Sequence, residues 1–326
     1  MKKTLALALS LALAVALCVG LFVLSSSAAE KTIGETRAEA AWAEANKATA
    51  IKINVNGVNV EITEAIEDKA MTEIFKDVAL VAEDKKATDS VEIGGKVTFK
   101  NGELTLSGVY AKKTVTAEGT DPVVSNATLQ IVANGGLKVD IKGGDFAGQI
   151  NLLSYKVGET ETMQEKSHLL VTSSDGSAIT GAGNTLSATY GSVIVYGNIR
   201  IAINTGSGYH GMINRGEGKG YDIVIDPQLP SSFVGNGSGA LVENRSGSII
   251  FGKDVLITLD GKAAGFQITN KAKEGAVLSL EGNAKIISSN NNYLLKTAGK
   301  NSTLSVKDNV SIYHKATAMA SWGVGL

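Results

Sequence analysis

The stretch Val193-Ile-Val-Tyr-Gly-Asn-Ile-Arg-Ile201 decides the fold. It reads apolar, any, apolar, three turn-forming residues, then apolar, any, apolar. The same phrase returns at Ile249-x-Phe251, Gly252-Lys253-Asp254, Val255-x-Ile257, and at Leu278-x-Leu280, Glu281-Gly282-Asn283, Ala284-x-Ile286. A further copy is Leu304-x-Val306, Lys307-Asp308-Asn309, Val310-x-Ile312. In the copy Ile223-x-Ile225, Asp226-Pro227-Gln228, Leu229, the second arm is broken by Pro230. The residues before each turn are Val195, Ile225, Phe251, Leu280 and Val306, spaced by 30, 26, 29 and 26.

A second element keeps the same phase. It runs Met212-Ile213-Asn214-Arg215, then Leu241-Val242-Glu243-Asn244-Arg245, then Phe266-Gln267-Ile268-Thr269-Asn270-Lys271, with a weaker copy at Tyr293–Thr297. Weaker copies of the first phrase lie upstream, at Val97-x-Phe99 with Lys100-Asn101-Gly102 and at Leu129-x-Ile131 with Val132-Ala133-Asn134. Short alternating strands with a period of 20 to 50 residues are the mark of a solenoid. About three strands fit each period, which suits one rung of an all-β, right-handed parallel β-helix. Alternate residues point inward along a strand, so the five anchors are expected to stack in one interior column. Asn214, Asn244 and Asn270 are expected to form an inward asparagine ladder, each amide bonding to the next rung.

Composition agrees. Glycine is abundant at 37 residues, proline scarce at 3 and aromatics sparse at 5 %. There are 31 basic against 32 acidic residues, which argues against an electrostatic nucleic-acid binder. Residues 1–29 read as a signal peptide: Lys2 and Lys3, an apolar run from Leu5 to Leu24, then small residues to Ala29. The chain is thus expected outside the cell, or at its surface. Membrane contact is expected only through an uncleaved signal segment. The single cysteine, Cys18, falls inside this run. A chain cleaved after Ala29 would have no disulfide and no cysteine-ligated metal.

Residues 30–90 differ from the rest and read as a small α/β cap ahead of a β-helix spanning 91–326. Glu35–Ala48 has helical spacing, and so has Asp68–Val81. Between them, alternation around Asn56-Gly57 predicts a hairpin. The amphipathic segment is expected to act as a lid over the apolar end of the solenoid. Asp84–Asp89 reads as a linker.

The runs Val193–Asn204 and Gly211–Asn214, with Ala276–Asn283 and Ser302–Asn309, make the chain resemble the pectate-lyase-like adhesive domains of bacterial surface proteins. The resemblance covers residues 91–326. It implies a right-handed parallel β-helix outside the cell with an adhesive role. No Leu-Pro-x-Thr-Gly sorting motif is present, so covalent wall attachment is not expected.

The expected function is a non-catalytic, adhesin-like protein that binds glycans or cell surfaces through one face. The first alternative is a polysaccharide lyase or glycoside hydrolase, the lyase needing a base beside a calcium site. The second is a self-assembling envelope protein. No catalytic residue is assigned. Asp226 and Asp254, in equivalent turns, are the carboxylates placed to align. Outside the lyase case no cofactor is expected, and the three histidines fit no metal spacing. The candidate ligand-binding residues are Tyr196 and Tyr209 as stacking faces, His210, and Arg215 with Arg245 as a basic stripe for an acidic glycan. The glycine-rich stretch Thr205–Gly220 reads as a loop projecting from a rung.

Overall fold

The computed structural model describes residues 30–80, 90–116, 120–152, 156–157, 160–161, 164–237, 239–289 and 292–315. The signal segment with Cys18, the linker at Asp84–Asp89 and the final residues Ser321–Leu326 lie outside them. The chain divides into two compact units, Met1–Thr32 and Ile33–Leu326. The second holds the fold.

That unit is all-β, a parallel β-helix with three long sheets. Each rung visits them in turn. Val193–Gly197 lies in the first sheet, Arg200–Thr205 in the second and Met212–Asn214 in the third. Ile223–Pro227, Ser231–Gly235 and Ala240–Asn244 repeat the circuit. The arm interrupted by Pro230 resumes at Ser231. The register matches the sequence anchors: Val195 faces Ile225, Ile225 faces Phe251, Phe251 faces Leu280 and Leu280 faces Val306. The first four are fully buried in one core. Val306 is 50 % exposed; it belongs to the last described rung and, among the described residues, has a strand neighbour on one side only.

The turns between the first and second sheets follow backbone chemistry. Asp254, Asn283 and Asn309 adopt φ of 63°, 60° and 62°. Short side chains that bond locally tolerate this left-handed conformation best. Asn283 Nδ2 donates to Asp254 Oδ1 at 2.7 Å, so one turn braces the next.

The asparagine ladder has two members. Asn214 faces Asn244 and both are fully buried, whereas Asn244 faces Ile268 and Asn270 is exposed. The amides do not bond to each other. Asn244 Nδ2 donates to Tyr221 O (3.1 Å) in the preceding rung and to Ser248 O (2.7 Å) in its own. Its Oδ1 accepts from the N–H groups of Ser246 and Gly247. Asn214 does the same at the corner of Gly191 and Gly216. Each amide therefore satisfies backbone groups that the tight corner would otherwise bury unpaired.

The N-terminal region departs from expectation in four places. The first helix, α1 (Ile33–Glu44), is no lid. It lies along the outer flank of the first sheet. There Ala38 and Ala41 pack on Leu170, Ile194, Val224 and Ile250, with Trp42 and Tyr196 beside them. Those four residues form one outward column through four rungs, which explains why their strands are apolar without alternation. Polar ties fix both helix ends. Gly34 N donates to Asp226 Oδ2 (2.7 Å), Arg37 lies 3.1 Å from Asp222, and Glu44 lies 3.0 Å from Lys166.

Second, the expected helix at Asp68–Val81 is one turn, α2 (Met71–Ile74), preceded by the strand Ile66–Ala70. From this segment Met71 and Phe75 join the main core, beside Ile51, Ile53, Val55 and Ile62 from the preceding hairpin. Third, Val97-x-Phe99 is no solenoid copy. Ser90–Lys100 pairs antiparallel with Glu103–Val115 through a turn at Asn101 and Gly102, and parallel pairing starts between Glu103–Val115 and Leu137–Lys142. Fourth, Leu129–Ala133 belongs to the third sheet, in the phase of the asparagine element. The Asn56-Gly57 hairpin forms as expected, with positive φ at both turn residues.

Candidate functional site

Flank by flank, the solenoid offers different surfaces. The helix α1 covers four strands of the first sheet. The second sheet presents an outward column of small residues: Ala147, Thr180, Ala202, Ser232 and Thr258 are in register through five rungs. Small side chains keep this face low. Where the second sheet turns into the third, the column ends in a cleft of about 330 Å³. Its floor is Ala147, Gly148, Gly181 and Ala202. Its polar walls are Asn126, Thr128, Gln149, Thr180 and Asn204.

One of these groups is held in place. Gln149 Nε2 donates to Ala182 O (3.2 Å), and its Oε1 accepts from Asn151 Nδ2 (3.1 Å). Asn151 is fixed in turn by the hydroxyl of Ser187. Asn126, Thr128 and Asn204 are exposed. The walls thus present amides and hydroxyls, which donate and accept hydrogen bonds without titrating.

Tyr209 stands at the rim and is 51 % exposed. A Cβ on Gly183 would lie 3.0 Å from Gln149 Nε2 and 3.7 Å from Tyr209 Cδ1. The phenol ring and the Gln149 amide therefore flank the same glycine. The neighbouring residue is structural. The His210 ring is buried, and its Nδ1 lies 2.6 Å from Ala240 O in a hydrogen bond between rungs. With Nδ1–H donating, the ring fixes the loop that carries Tyr209.

The other candidates lie elsewhere. Tyr196 is half-buried beneath α1, and burial raises its phenol pKa. It offers no free stacking face. Arg215 and Arg245 do come together, at the corner from the third sheet to the first: Arg245 N donates to Asn214 O (3.0 Å), one rung apart. The carboxylates Asp226 and Asp254 do not. Asp226 is buried against the start of α1, while Asp254 is exposed in its turn beside Asn283. Among the described residues, no group of three or more His, Cys, Asp and Glu is placed to hold a metal ion.

The sequence reading missed the cleft walls. Thr180 and Asn204 follow the buried Ile179 and Ile203, so strand alternation alone marks them as outward. What alternation does not give is which rungs share a corner.

No protein-family model matches the chain, and no curated protein or solved structure is significantly similar to it.

Proposed function

We propose that this is an exported, cell-surface or extracellular β-helix protein that binds glycans, in the manner of the adhesive domains its repeats resemble. The observation that carries this reading is the low polar face of the second sheet, ending in the amide- and hydroxyl-lined cleft with Tyr209 on its rim. Neutral sugars are met by such groups: amides bond to ring hydroxyls, and an aromatic face covers the apolar side of the ring. Many shallow contacts along a solenoid face sum to useful affinity without a deep pocket.

The test is retention of the purified protein on a panel of neutral and uronate-rich polysaccharides, with calcium, reading new reducing ends and unsaturated products in the same tubes. Retention that falls at least tenfold in Tyr209→Ala and in Asn204→Ala supports the proposal. Product formation moves the reading to a lyase or hydrolase. Absence of retention on every polymer overturns it.

A second reading rests on the last described rung. Val306 and Ile312, which continue the core columns, are 50 % and 40 % exposed there. Among the described residues no strand pairs on the far side of this rung, and an apolar rung with such an edge favours stacking on another copy. Sedimentation that shifts with protein concentration would support this self-assembly, and a fixed monomer would exclude it.

A further inference from the structure

The corner between the third and first sheets carries a run of ion pairs between rungs. Lys219 Nζ lies 2.8 Å from Glu165, Lys271 Nζ 2.5 Å from Glu217, and Lys300 Nζ 3.0 Å from Glu274. Arg245 Nε donates to Glu243 Oε1 at 2.6 Å. Arg215 breaks the pattern. Its Nε is buried and has no hydrogen-bond partner. Arg245 follows it in the same column, because Asn214 and Asn244 face each other across adjacent rungs. Strands in a sheet lie about 4.8 Å apart, so the two arginines leave neighbouring backbones at about that spacing. Burial lowers the Arg215 pKa, and the charge of Arg245 lowers it further. Among the described residues, Glu243 is the carboxylate set against both, and one positive charge and one buried donor remain unmatched.

We propose that Arg215 and Arg245 form a binding site for a singly charged oxyanion carried on a saccharide: a carboxylate, a sulfate ester or a phosphodiester. A guanidinium presents its N–H groups in a planar fork that fits two oxygens of such a group. Glu243 holds Arg245 and leaves the Arg215 fork for the ligand. The site lies at a different corner from the Tyr209 cleft. The anion chemistry stands by itself, while the saccharide carrier rests on the glycan reading.

The test follows arginine Nε–H resonances of the full chain during titration with glucuronate, methyl sulfate and dimethyl phosphate, with glucose as the neutral control. The Arg215 signal is assigned by its loss in Arg215→Lys. A saturable shift of that signal with at least one anion, and none with glucose, is expected; the anion that acts names the source. Arg215→Lys keeps the charge and loses the fork; followed on the Arg245 Nε–H signal, it should weaken binding at least tenfold, equivalent to about 1.4 kcal/mol. Glu243→Gln removes the competing carboxylate and should tighten binding several-fold. A shift with glucose, no saturable shift with any anion, or affinity unchanged in both variants overturns the proposal. Tyr209→Ala separates the two sites: it should abolish retention on neutral polymers and leave the Arg215 shift intact.

Discussion

Asn244 and Asn270 look alike in the sequence and differ in everything that follows. The Asn244 amide takes part in four hydrogen bonds within a closed corner, while Asn270 faces solvent. Leaving several buried backbone groups unpaired costs about 1–3 kcal/mol each. Asn244→Ala should therefore lower stability by at least about 3 kcal/mol, and Asn270→Ala should stay within about 0.5 kcal/mol. Urea unfolding of both variants checks the contrast. The sequence reading grouped them because 214, 244 and 270 share the anchor steps. Register is set by inward packing, and the link from the second sheet to the third is shorter between Gly261 and Ala264 than between Gly235 and Ala240, so Ile268 takes the place.

His168 makes a second prediction at this scale. Its side chain is 4 % exposed, and Nδ1 accepts from Ser192 N (3.0 Å). The proton of the neutral ring then sits on Nε2, which has no hydrogen-bond partner and lies 3.6 Å from Glu44. Lys166 and the edge-on ring of Tyr221 complete its surroundings. Burial lowers its pKa below 6.5, against the pull of Glu44. The unfolded chain takes up the proton at about 6.5, the folded chain only at lower pH. Stability should fall as pH drops through 6.5 toward the folded value. His168→Gln should remove that slope, read from unfolding midpoints between pH 7 and 5.

At the scale of elements, α1 shows what was legible and what was not. Its helical spacing was readable, because Ala38, Ala41 and Trp42 repeat at helical steps. Its docking place was not, because a lid and a flank strap need the same amphipathic stripe. The missing signal lay in its partner: Leu169–Val171, Val193–Val195, Ile223–Ile225 and Ile249–Phe251 are apolar triplets, and a triplet needs cover on both faces. Ala41→Glu puts a charge against this column and should release the helix. Limited proteolysis should then cut within residues 33–44, while the β-sheet circular dichroism stays unchanged. Full retention of protease resistance would show that the polar ties alone hold α1.

For the whole molecule, the repeat made the architecture legible long before any single contact. Five anchors at uneven steps still fell into one register, because strands carry the core and corners absorb the differences in length. What one repeat unit does not encode is how the ends are closed. At the N-terminal end Met71 and Phe75 enter the core, whereas the last described rung leaves Val306 half uncovered. A solenoid is held by nearest-neighbour contacts, so its stability should grade along its length. Amide hydrogen exchange should be slowest in Val193–Gly197 and Ile223–Pro227 and fastest in Thr303–Val306 and Ser311–His314. Uniform protection would refute the gradient.

The strap on the first flank has a mechanical side. A helix of 12 residues is about 18 Å long, close to the breadth of four stacked strands. Pulled from its C-terminal end, the coil would peel one turn at a time under low force. On reaching Ile249–Phe251 it would meet coils bolted together by a rod, and these would have to yield as one.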